Sequence, residues 1–130
     1  MTMRFVIFFM IPFFLISCLS VKDLPNDLTE KQMQQQAHSY LDKGDYRSAL
    51  LIYEEILVRF GDNLPSRVAA EFEIAHIHVK RKNWRKAEEM LTRILSYYEE
   101  DAYGLPGEYR KLAMIDMKKI PAKHQQKEEQ

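Results

Sequence analysis

Cysteine is nearly absent from the chain. Cys18 is the only one in 130 residues, so no disulfide can close within the chain and an oxidising compartment adds nothing to its stability. Glycine is scarce as well, at four, and none sits in the clustered pattern that cradles a phosphate. Neither charge is in excess, with 19 basic against 19 acidic side chains; nucleic-acid binding rests on a net basic face, and that class is set aside. A long apolar run is missing too: the stretch from Phe5 to Ile16 falls short of the roughly 18 to 20 residues that a bilayer span needs. There is no Ser/His/Asp arrangement with recognisable local context and no metalloprotease motif. The composition therefore predicts no catalytic residue and no cofactor.

The short apolar run is informative for where it stands. Arg4 and the amino terminus supply positive charge in front of it and small residues follow, which is the layout of a secretory signal peptide over 1–17. Leu15-Ile16-Ser17-Cys18 resembles a bacterial lipobox, in which cleavage precedes the cysteine and the thiol of Cys18 is lipidated. An ordinary cut after Ser20 is the alternative and would discard Cys18. Several acyl chains on one cysteine anchor stably, since each buried methylene contributes about 0.8 kcal/mol. Leu19 stands where the enterobacterial pathway uses Asp to retain a lipoprotein in the inner membrane. The resemblance thus implies an outer-membrane lipoprotein of the cell envelope, its domain facing the periplasm. Residues 18–28, with Pro25, read as a tether, and 121–130, charged and Gln-rich, as a disordered tail.

Between them the sequence repeats itself at an offset of 38 residues: Ala37 meets Ala75, His38 meets His76, Arg47 meets Arg85, Ala49 meets Ala87, Ile56 meets Ile94 and Leu57 meets Leu95. The apolar spacing within a unit is helical. Tyr46, Ala49, Leu50, Tyr53, Ile56, Leu57 and Phe60 fall on one helix face, and Trp84, Ala87, Leu91, Ile94, Leu95 and Tyr98 repeat it. Thr29 and Gln32 fit a capping box for a preceding helix to about Lys43, Asp45 and Asn83 fit N-caps, and Gly44 and Gly61 fit left-handed helix ends. Another helix starts near Pro65 and Ser66, and a fifth runs from about Pro106 to Ile120, stopped by Pro121. Nothing reads as a strand.

Lys43-Gly44-Asp45-Tyr46 followed by Ala49, Tyr53, Ile56 and Leu57 resembles the tetratricopeptide repeat, with Ala37 as the small residue where paired helices approach. The second unit has Lys82 in place of the turn glycine, and the period exceeds the usual 34. The resemblance implies an all-α fold over 29–120, two full units plus a closing helix in a short right-handed solenoid. Together with the lipobox it is similar to the tetratricopeptide-repeat lipoproteins of the outer-membrane β-barrel assembly machinery, which implies a scaffold binding other envelope proteins or peptide segments. An adaptor of a periplasmic transport or substrate-binding complex and a small-ligand binder are the alternatives.

In that family the residue after the small one on each first helix faces a concave groove. This points to Lys31, Gln34, His38 and Leu41, then Phe72, His76, Val79 and Lys80, and then Arg110 and Met114 if the fifth helix holds register. Apolar floor residues with a cationic rim suit a segment with an acidic or carboxylate end. His76 and His78 form the sole close histidine pair, but on a helix they diverge by about 200°, and no metal site is expected. Neighbouring acids such as Glu54-Glu55 and Glu88-Glu89 diverge likewise and read as solvated faces. Two and a half units are few for a solenoid, which predicts an exposed apolar edge around Leu105, Met114 and Met117.

Overall fold

The computed structural model describes residues 24–100 and 104–124. The expected signal segment, Cys18 and the last six residues of the expected tail lie outside them. Among the described residues all regular structure is helical: α1 (Glu30–Asp42), α2 (Tyr46–Phe60), α3 (Leu64–Lys80), α4 (Trp84–Glu100), α5 (Gly107–Lys119) and a 3₁₀ turn at Ala122–His124. Each helix packs against the next in sequence, and α3 also meets α5. The fold is therefore all-α and repeat-like, α1 with α2 and α3 with α4 forming two helix-turn-helix units that α5 closes.

Local chemistry explains the boundaries. The Gln32 amide donates to Thr29 Oγ1 at 3.3 Å while Gln32 Oε1 accepts from the Thr29 amide at 2.9 Å, a reciprocal cap on α1. Asp45 accepts from the Ser48 amide at 3.1 Å and caps α2. The Ser48 hydroxyl, which donates to the same carboxylate, and then this amide contact hold the Asp45 carboxyl below its usual range. Asn63, which sequence reasoning passed over, caps α3 through the Ser66 amide, also at 3.1 Å. Gly44 turns the chain at φ 74°, and Lys82 adopts φ 58° at the equivalent place, a left-handed conformation that costs a residue with a β-carbon about 1 kcal/mol. Gly61 does not behave as expected. It stays right-handed at φ −67°, and the reason for a glycine is proximity: a β-carbon there would meet the Leu57 carbonyl oxygen at 2.2 Å.

The repeat is visible in the core. Ala37, Ala75 and Ala113, spaced by 38, are all fully buried, and so are Ala49 with Ala87 and Ile56 with Ile94. Small residues at these sites let the helices approach, and a larger side chain would overpack them at a cost of roughly 1–3 kcal/mol.

The segment before α1 is better packed than a tether. Leu24 is buried in the core, and Arg59 donates to the Pro25 carbonyl at 2.8 Å, so 24–28 docks on the domain. At the other end Ile120, the last residue of the expected domain, is buried, residues 121–124 of the expected tail are exposed, and the His124 ring lies 6.4 Å from Trp84. Apolar periodicity cannot reveal such docking, because these segments are too short to carry a period.

Candidate functional site

The first helices of the units build a groove of about 360 Å³. His38, Leu41 and Asp42 of α1 form one wall, with Tyr46 at the start of α2 beside them. Phe72, Glu73, His76, Ile77 and Lys80 of α3 run along the floor. Leu112, Ile115, Asp116 and Lys119 of α5, one helical face at i, i+3, i+4 and i+7, form the far wall. Asp42, Lys80 and Lys119 are exposed, so the groove opens to solvent.

Of the ten residues expected here, His38, Leu41, Phe72, His76 and Lys80 line the groove, and Gln34 lines a smaller hole that shares His38 and Glu73 with it. The other four do not. Val79 is buried in the core, because it follows Ala75 by four residues and shares its inward face. Lys31 lies at the exposed start of α1, outside both cavities. Arg110 and Met114 are exposed on α5 but line neither cavity. Met114 sits about 200° around the helix from both Leu112 and Asp116. As the last helix, α5 turns toward the groove the edge that faces back to α3, whereas the repeat register points to the middle of its face. The expected apolar edge is corrected similarly: Leu105 is buried and Met117 half-buried, and the apolar exposure on α5 is at Leu112, Met114 and Ile115.

The groove is also more acidic than expected. Asp116, 2% exposed, holds His76 Nδ1 at 2.5 Å through one carboxylate oxygen and Lys119 Nζ at 2.6 Å through the other. This bridge joins α3 to α5 and neutralises the buried carboxylate. His76 in turn stacks on Phe72 with ring centroids 5.8 Å apart, and Phe72 touches Tyr109 at 5.7 Å.

Glu73 is different: it has no hydrogen-bond or ion-pair partner among the described residues. Burial pushes its carboxyl above the usual carboxylate range, against the pull of His38 and His76 and with a further push from Asp116. Glu73 lies between the groove and the hole, whose volume is about 20 Å³ and whose walls are Gln34, His38, Tyr53, Ala69, Ala70 and Tyr109. The Tyr53 hydroxyl is buried there without a hydrogen-bond partner. Burial raises the phenol pKa of both Tyr53 and Tyr109, and the Glu73 charge raises it further. Among the described residues no group of three or more His, Cys, Asp or Glu side chains is placed to hold a metal ion.

Comparison with known proteins finds a relative of the chain. A protein of Treponema pallidum (strain Nichols), described as uncharacterized, is 37% identical to it over 112 residues, 83% of this chain and 45% of the relative. The chain thus spans less than half the length of that relative. No protein-family profile matches the chain, and no solved structure matches it significantly.

Glu73, Asp116, Leu112, Ile115 and Lys119 were missed by sequence reasoning. A signal existed for part of the set: once Ala113 is aligned with Ala75, Asp116 is a charged residue on the inward side of an amphipathic helix, which asks for a partner.

Proposed function

We propose that the chain is a lipid-anchored envelope scaffold of the tetratricopeptide-repeat type, whose concave groove binds a segment of a partner protein, with outer-membrane protein assembly as its setting. The observation that carries this reading is the groove itself: three helices supply its walls and floor, and Leu112 and Ile115 stand 41% and 50% exposed within it. Exposed apolar side chains in an open channel with charged rims suit an extended or helical segment that lays anchors into it. Two features of the sequence support the anchor and the compartment: the lipobox-like Leu15-Ile16-Ser17-Cys18 and the absence of Asp after Cys18.

The test is a membrane crosslinking pull-down of the tagged full-length protein from the bacterium that makes it, with Cys18→Ala and Leu112→Asp alongside. Leu112 is exposed, so its replacement spares the core, whereas Phe72 is packed against His76 and Tyr109. Recovery of a barrel-assembly subunit that both variants lose is the expected result. Recovery of transporter components instead would sink the assembly setting, and undiminished capture by Leu112→Asp would sink the groove. A small-ligand reading has the volume in its favour, since about 360 Å³ lies within the range of small-molecule pockets. A saturable thermal shift with a soluble compound, abolished by Leu112→Asp, would favour it.

A further inference from the structure

The hole behind the groove has the features of a built subsite. Its volume of about 20 Å³ admits one water-sized group and nothing larger. The Tyr53 hydroxyl, on a side chain 1% exposed, is orphaned at its wall. An orphaned buried hydroxyl is costly, and a donor in the hole gives its oxygen the partner the fold leaves out. Glu73 brings a carboxylate without a cation. Gln34 uses its amide nitrogen on Glu30 at 2.9 Å, which leaves its oxygen to accept. Three acceptors therefore surround the hole, two of its walls are the aromatic side chains Tyr53 and Tyr109, and it shares His38 and Glu73 with the groove.

We propose that this hole takes the ammonium group of a lysine side chain carried by the partner segment in the groove. A primary ammonium is water-sized, bears three donors and a positive charge, and is attracted to aromatic faces. A guanidinium is too large for the volume and presents its donors in a flat fork. The lysine methylenes lie along Leu41 and Phe72, and the head passes between His38 and Glu73. The raised protonation range of Glu73 fits this role, because burial makes its bare carboxylate costly and an entering cation removes that cost.

The inference rests on the groove reading, and its test is separable from that one. Full-length protein in lipid nanodiscs, with ¹³C-labelled Tyr and Glu side chains, is titrated at pH 7.5 with Nα-acetyl-lysine methylamide. Saturable shifts at Tyr53, Tyr109 and Glu73 are expected, at least tenfold weaker with the norleucine and arginine analogues. Glu73→Gln is expected to weaken them tenfold or more, and Tyr53→Phe, which keeps the ring, severalfold. No saturable shift with the lysine probe, equal shifts with norleucine, or an unaffected Glu73→Gln would overturn the proposal and leave the hole to a structural water. Tenfold tighter binding of putrescine would overturn the partner-borne source in favour of a free amine. Failure of the lysine probe while Leu112→Asp still abolishes capture would remove the subsite and leave the groove reading standing.

Discussion

The bridge from His76 through Asp116 to Lys119 holds α5 against α3, and removing its centre should loosen the wall of the groove. In Asp116→Ala both contacts are lost. Lys119 is 51% exposed on its side chain, so its share is screened and worth at most about 1 kcal/mol. His76 is 27% exposed and binds a carboxylate that is 3% exposed, and a hydrogen bond to a charged group in that setting contributes about 1.5 kcal/mol. Both partners can reach water once released, so the larger penalty of a stranded buried charge does not apply. The expected loss is about 2 kcal/mol, or roughly 8–12 °C in the thermal midpoint of a domain this size. Asp116→Asn, which keeps one oxygen, should lose about half of that. Urea unfolding followed by circular dichroism measures the total, and hydrogen exchange locates it: amides of α5 should lose protection before those of α1 and α2. A change below 0.5 kcal/mol, or an equal loss of protection across all helices, would refute the reasoning.

Other consequences are simpler to check. Lys82→Gly should stabilise by about 0.5–1 kcal/mol in the same urea assay, because φ 58° suits glycine, and Gly44→Ala should destabilise by at least as much. His78 has its Nδ1 buried without a hydrogen-bond partner, and burial, helped by Lys86 and Arg81, lowers its pKa below 6.5. Its contribution to stability is therefore fully present above about pH 6.5 and lost as pH falls through the lower folded value, so His78→Gln should flatten that part of the stability profile between pH 7 and 5. Leu24→Ala should cost about 2 kcal/mol if the segment before α1 belongs to the core, and a loss under 0.5 kcal/mol in thermal unfolding would return it to the role of tether.

What the chain determines by itself is the repeat. Ala37, Ala75 and Ala113 recur at one spacing and all three are fully buried; Thr29 and Asp45 cap the helices they precede, and Pro121 follows the last one. These features depend on residues within a few positions of each other, where helical periodicity and the satisfaction of first-turn amides act locally. The resemblance of Leu15-Ile16-Ser17-Cys18 to a lipobox is likewise a matter of adjacent residues, and all four lie outside the described ones.

The site is decided at longer range. Tyr53, Glu73 and Tyr109 come from three helices, and their shared hole exists only because α2 and α5 both pack against α3. Glu73 carries no signal in the sequence, and only packing leaves it half-buried near an orphaned hydroxyl. Repeat register pointed to His38 and His76, which line the groove, and to Met114, which does not, because it treats every first helix alike. The closing helix has a neighbour on one side, so the edge that faces α3, with Leu112, Ile115 and Asp116, becomes the wall of the groove. Local pattern dictates which residues form helices and which face turns inward; only the packing of non-adjacent helices dictates which polar groups meet, and hence what the groove can hold.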